Sequence, residues 1–201
     1  MRFLWIVAAY LVGATPTSYL AGRLGRGIDL RDHGSKNLGA TNVYRVLGWR
    51  YAIPVALVDI AKGALPVAFA RAGGAGPGAA MPVLLGAAAV VGHMLSPYVG
   101  FKGGKGVAAA GGMFLALAPA ALAISVGVWL LTVWLTGYVS VGSLVTVALF
   151  PIWAALTEHT PLTVWASVAL AAVIVFAHRA NIARLLAGTE HRFRTRPGLA
   201  T

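Results

Sequence analysis

The stretch AALAISVGVWLLTVWLT, Ala120 to Thr136, contains no charged residue, and its reading decides the fold class. A helix needs about 20 apolar residues, with a range of about 17–25, to cross a bilayer. Similar stretches lie on both sides of it: roughly 2–22, 51–71, 79–97 and 105–119 before, 140–157 and 161–180 after. Pro119 marks the turn from the fourth into the fifth. Of the 201 residues, 59% are hydrophobic and only 10% charged, where soluble domains carry about 25% charged residues. The expectation is an all-α integral membrane protein of about seven transmembrane helices, with residues 1–201 forming one membrane-embedded domain. Met1 to Val12 is followed by no small-residue cleavage site and reads as a retained first span.

The net charge of +11 suits an anionic partner. Most basic residues lie at the ends of apolar stretches, which favours lipid headgroups over nucleic acid. Arg23, Arg26, Arg31, Lys36, Arg45, Arg50, Lys102, Lys105, Arg179, Arg184, Arg192, Arg194 and Arg196 fall on one side of the seven spans. Only Arg2 and Arg71 fall near the other. The positive-inside rule puts that first side and the C-terminus in the cytoplasm, and the N-terminus outside. With no cysteine, the chain has neither disulfides nor a thiol nucleophile.

Three polar runs interrupt the apolar pattern, all on the basic side. The first is GSKNLGATNVYR, Gly34 to Arg45. Ser35, Asn37, Thr41 and Asn42 offer hydroxyls and amides, and Arg45 shares a face with Asn42 if the stretch is helical. The run reads either as a phosphate cradle or as an interfacial loop with a capping residue. The second is GHMLSPYVGFKGGKGV, Gly92 to Val107. Lys102, Gly103, Gly104 and Lys105 precede an apolar helix, an arrangement that suits an anion; a positive-inside anchor explains the lysines but not the glycines. Gly106 stands where a P-loop needs Ser or Thr, which argues against ATP. The third is HRANIARLLAGTE, His178 to Glu190. Helical spacing puts His178, Asn181 and Leu185 on one face, with Arg184 a turn beyond Asn181. His178 could bind phosphate, move a proton near neutral pH or face the helix dipole. Within the spans, Asp59 and Lys62 stand three apart, either neutralising each other or placing Lys62 at a cleft floor. His93 reads as a similar polar group or as a packing histidine.

Several chemistries lack their residues. No histidine is followed five positions later by aspartate, so the usual acyltransferase dyad is missing. There is no carboxylate cluster for Mg²⁺, no His/Cys pattern for zinc and no G-x-S-x-G elbow. What remains is phosphate recognition by cations and backbone, in either an enzyme or a transporter or lipid-phosphate binding protein. The polar runs lie on one side and no internal repeat is visible, which favours the enzyme.

GSKNLGATN, DIAKG with ALPV, GHMLSPYVGFKGGKGVA and HRANIARLLAGTE, in this order and spacing, resemble the bacterial acyl-phosphate-dependent glycerol-3-phosphate acyltransferase family. Lys36 stands where many members have glycine. The resemblance implies a seven-helix inner-membrane enzyme with its active site facing the cytoplasm. It also implies transfer of a fatty acyl group from acyl phosphate to the 1-hydroxyl of glycerol-3-phosphate, the first acylation of phospholipid synthesis. The products are lysophosphatidic acid and phosphate. Expected at the reaction centre are His178, Asn181, Ser35 and Lys105. Expected around the substrate phosphates are Ser35, Asn37, Thr41, Asn42, Arg45, Lys62, His93, Lys102, Gly103, Gly104 and Lys105. No cofactor, metal or obligate protein partner is implied beyond the two substrates and membrane lipids. His178 and a substrate phosphate oxygen are both candidate proton acceptors.

Overall fold

A computed structural model describes residues 2–76, 78–158 and 160–193. Arg194 and Arg196 of the basic set lie outside the described residues. The chain divides into two compact units, Met1–Pro119 and Ala120–Thr201.

The first unit holds α1 (Arg2–Gly13), α2 (Thr17–Arg26), α3 (Ala40–Leu47), α4 (Trp49–Arg71), α5 (Met81–Met94), a 3₁₀ turn at Pro97–Val99 and α6 (Val107–Leu117). The first expected span is broken: α1 stops at Gly13, and α2 begins after Pro16. In hydrocarbon, a break is tolerated only where its freed carbonyls find donors. Here Ser96 Oγ donates to Ala14 O at 2.5 Å, and Lys62 Nζ donates to Thr15 O at 2.9 Å.

Close helix contacts in this unit rest on glycine. A Cβ on Gly112 would lie 1.8 Å from Ile60 O, and one on Gly63 2.0 Å from Ala109 O, so α4 and α6 meet backbone to backbone. Gly13 and Gly92 do the same for α1 and α5, against Ala89 O at 2.0 Å and Tyr10 O at 2.1 Å. Lipid supplies no hydrophobic drive between helices, so this small-residue packing carries the association.

The second unit holds α7 (Pro119–Thr136), α8 (Val139–Thr157), α9 (Pro161–Ala177) and α10 (Arg179–Leu186). On α7, Leu130, Leu131, Trp134 and Leu135 are each more than half exposed. An apolar surface of that extent suits lipid. Trp129 Nε1 donates to Ser143 Oγ between α7 and α8.

Among the described residues, five helical segments are long and apolar enough to cross a membrane: Arg2–Arg26, Trp49–Arg71, Met81–Val99, Pro119–Thr136 and Val139–Thr157. A sixth is the pair α9–α10, bent by 55° at His178. The stretch expected as the fourth span is α6, whose 11 residues rise about 16 Å, roughly half a bilayer core of about 30 Å. The described residues are thus all-α, with five to six helices of spanning length.

Candidate functional site

In the first polar run, the loop before α3 is wound around one amide. Asn42 is 1% exposed. Its Oδ1 accepts the Ser35 N–H at 2.8 Å, and its Nδ2 donates to Leu30 O, His33 O and Asn37 O at 3.1, 3.0 and 3.0 Å. An amide with both its N–H groups and its oxygen engaged by backbone has no donor left for a ligand. The expectation that Asn42 binds phosphate therefore gives way to a role in shaping the loop. Gly34 is obligatory beside it: φ is +59°, and a Cβ would lie 2.3 Å from Asn42 Oδ1. Lys36 has φ +57°, the left-handed conformation that glycine adopts without penalty. Thr41 sits in the first turn of α3, with Arg45 half-buried in its last turn.

The second run folds back onto the end of α5. Gly103 N–H donates to Met94 O and Gly104 N–H to His93 O, both at 3.0 Å. These bonds satisfy two carbonyls that a helix C-terminus leaves without partners. The glycine pair was expected beside the substrate phosphate; its own N–H groups are engaged by α5. Its lack of side chains serves packing: a Cβ on Gly103 would lie 2.1 Å from His93 O, and one on Gly104 2.1 Å from His93 Nε2 and 2.6 Å from Leu38 O. Lys102 remains exposed, and Lys105 is half-buried just before α6.

The two runs and the α4 ion pair come together. Lys62 Nζ lies 2.8 Å from Asp59 Oδ1, with side-chain exposures of 5% and 1%. Thr17 Oγ1 donates to the same carboxylate oxygen at 2.5 Å, and His93 Nδ1 lies 3.7 Å from it. With its bond to Thr15 O, Lys62 thus neutralises Asp59 and also borders a small cleft, with room for about one water, lined by Thr15, Thr17, Lys62, His93, Ser96 and Gly104. Leu38 and Gly103 line this cleft and also an outer one of about 600 Å³, whose other walls are Asp29, Arg31, Asp32, Lys36 and Lys102. The Arg31 hydrogen bonds hold the Asp29 carboxyl down at about 2, from an ordinary 3.8.

Thr15, Thr17, Ser96, Asp29 and Arg31 were not singled out from sequence. Pro16 between two threonines inside an apolar stretch was the available signal for the first pair. Asp29 and Arg31 fell in the basic loop, where a charge reads as solvated.

In the second unit, His178 is 3% exposed at the bend between α9 and α10. The run begins at the kink: α10 follows His178, whose carbonyl accepts the Ile182 N–H at 2.9 Å. His178 Nδ1 lies 2.8 Å from Ile174 O. A carbonyl only accepts, so Nδ1 carries the proton and Nε2 is the accepting nitrogen. Glu190, absent from the expected set, gathers the rest of the run. Its Oε1 accepts from Asn181 Nδ2 at 2.7 Å and Ser140 Oγ at 2.9 Å, and its Oε2 accepts from Arg184 Nε at 2.7 Å. Burial works to raise its pKa, but the hydrogen bonds from Asn181, Ser140 and Arg184 prevail and hold the carboxyl below its ordinary 4.5. Beyond it, Phe193 N–H donates to Gly137 O and Arg192 Nε to Tyr138 OH.

Comparison with known proteins gives one consistent result. The sequence model of the family described as glycerol-3-phosphate acyltransferase matches residues 3–188. The glycerol-3-phosphate acyltransferase of Trichlorobacter lovleyi is 45% identical over 191 residues, covering 94% of this chain and 96% of its own. That of Chlorobaculum parvum is 41% identical over 219 residues, covering 93% and 94%. The crystal structure of PlsY (YgiH), an integral membrane glycerol 3-phosphate acyltransferase, superposes in its glycerol 3-phosphate form with a TM-score of 0.91. Identity there is 36%, and 96% of each chain is covered. Its lysophosphatidic acid form gives 0.86 at 34% identity, over 95% of this chain and 94% of that one. By the extent of these matches across both units, the chain belongs to the glycerol-3-phosphate acyltransferase family.

Proposed function

We propose that this chain transfers a fatty acyl group from acyl phosphate to the 1-hydroxyl of glycerol-3-phosphate, giving lysophosphatidic acid and inorganic phosphate, as the first step of phospholipid synthesis. The observation that carries the reading is the meeting of the first two polar runs around two neighbouring clefts that Lys36, Lys62 and Lys102 border. Both substrates carry phosphate. Charge-assisted hydrogen bonds are the strong ones, and cations on separate elements can hold more than one phosphate group. In this reading Ser35, Asn37, Thr41, Arg45, Lys62, His93, Lys102 and Lys105 bind phosphate. Asn42, Gly103 and Gly104 give the two loops their shape.

Acyl phosphate is a mixed anhydride and already activated. The glycerol hydroxyl oxygen attacks the acyl carbonyl carbon, the bond from that carbon to the phosphate oxygen breaks, and phosphate leaves with the electron pair. The hydroxyl proton passes to His178 Nε2 or to a phosphate oxygen. Positioning and charge stabilisation suffice, so no acyl-enzyme on Ser35 is required. Purified protein in detergent, supplied with palmitoyl phosphate and glycerol-3-phosphate, should form lysophosphatidic acid and phosphate in equal amounts. Faster turnover with acyl-CoA would replace the donor. Binding without turnover would return the chain to the lipid-phosphate binding proteins.

The proposal extends to topology. With the short α6 as a seventh membrane segment, the N-terminus lies outside and the C-terminus in the cytoplasm of a bacterial inner membrane, with the clefts open to the cytoplasm. The distribution of Arg and Lys supports this. The chain has no cysteine, so single cysteines report sidedness cleanly. An Ala79→Cys variant should react with an impermeant maleimide on intact cells, and Arg26→Cys only after permeabilisation; the reverse pattern inverts the orientation.

A further inference from the structure

We propose that Arg31, held by Asp29, is a positioning residue that sets the separation of the first and second polar runs. The guanidinium forks onto the Asp29 carboxylate: Nε lies 3.0 Å from Oδ1 and 3.1 Å from Oδ2, and Nη2 lies 2.6 Å from Oδ2. The Arg31 backbone N–H donates to Asp29 Oδ1 as well, at 3.0 Å. Tyr19 lies beside the guanidinium, with its ring centroid 5.4 Å away. So restrained, the remaining arm reaches across 68 residues of sequence: Nη1 donates to Val99 O at 2.9 Å.

Both ends of this bond lead into the clefts. Val99 is followed by Gly100 and Phe101, with φ of +66° and +61°, which turn the chain toward Lys102 and Gly103. Arg31 is followed within five residues by Lys36. Shifting Val99 against Arg31 therefore shifts Lys102 against Lys36 across the outer cleft. The inner end has its own stop, since Gly104 packs so closely on Leu38 O that a Cβ would lie 2.6 Å from it. Leu30, Leu38 and Val99 belong to one buried cluster, so the Arg31 bond closes over a packed core.

A rival role for Arg31 is direct attraction of the substrate phosphate, and the two roles predict opposite signs at Asp29. Asp29→Asn removes a negative charge from the cleft wall. If attraction governs, KM for glycerol-3-phosphate falls. If Arg31 positions the runs, its fork is weakened and KM rises. This test rests on the acyltransferase reading. Arg31→Lys keeps the charge, but a lysine ammonium cannot make the fork and reach Val99 together. Both single variants should raise KM about tenfold with a smaller change in kcat, and the double variant should be no worse than either, as for members of one network. Asp29→Glu, which keeps a carboxylate, should reverse part of the KM rise in Asp29→Asn. Wild-type KM in Arg31→Lys, or a lowered KM in Asp29→Asn, overturns the proposal. Hydrogen exchange provides a readout independent of turnover. In Arg31→Lys the amides of Val99 to Gly103 should exchange faster while those around Glu190 do not, and unchanged exchange overturns the proposal even if wild type shows no acyl transfer.

Discussion

At the scale of single residues, the loop before α3 depends on one buried amide. Asn42 gives its amide to three carbonyls and one N–H. Asn42→Asp keeps the acceptor for Ser35 but turns a carboxylate toward three carbonyl oxygens. Each buried group left without a partner costs about 1–3 kcal/mol. Thermal unfolding in detergent should therefore show Asn42→Asp to be less stable than Asn42→Ala. In the proposed reading Arg45 and Lys105 bind substrate phosphate. A charge-assisted hydrogen bond contributes about 1.5–3 kcal/mol, so alanine at either should lower kcat/KM about tenfold to a hundredfold with the fold retained. Steady-state kinetics against glycerol-3-phosphate checks this, and unaltered kinetics removes the residue from the site.

At the scale of elements, the long apolar stretches were legible, because a span with no charge has few places to go except lipid. The ion pair in α4 was legible too, as the mutual neutralisation of Asp59 and Lys62. The break between α1 and α2 was not, since the donors that make it tolerable, Ser96 and Lys62, lie far along the chain. For Gly103 and Gly104 the pattern of lysines and glycines suggested an anion site, but it could not show the bonds that tie both N–H groups to Met94 and His93, which lie nine to eleven residues earlier. Glu190 stood last in its motif with no hint that Ser140, Asn181 and Arg184 would converge on it. Its depressed pKa has a consequence with a definite sign. The native state favours the carboxylate, so its contribution to stability is fully present above the ordinary 4.5 and is lost as pH falls through the lower native value. Melting temperature measured from about pH 7 down to about pH 3 should fall less steeply in Glu190→Gln than in wild type, from a lower starting point. Parallel curves would remove the carboxylate from the acid response.

At the scale of the whole molecule, the polar face of α4 bears on how the protein is made. Asp and Lys at the centre of a helix each oppose membrane insertion by about 2.5–3.5 kcal/mol. Pro54 and Pro66 add further irregularity to the same helix. Yet Asp59 receives the Thr17 hydroxyl, and Lys62 reaches Thr15 O, partners 42 and 47 residues earlier in the chain. Synthesis from the N-terminus makes that complement before α4. The expected outcome is that the break between α1 and α2 receives α4 as it enters the lipid. A nascent chain arrested beyond α4 should resist carbonate extraction, and Thr17→Val, which removes the hydroxyl that Asp59 receives, should loosen it. Equal retention of the two would mean that α4 enters the membrane unaided.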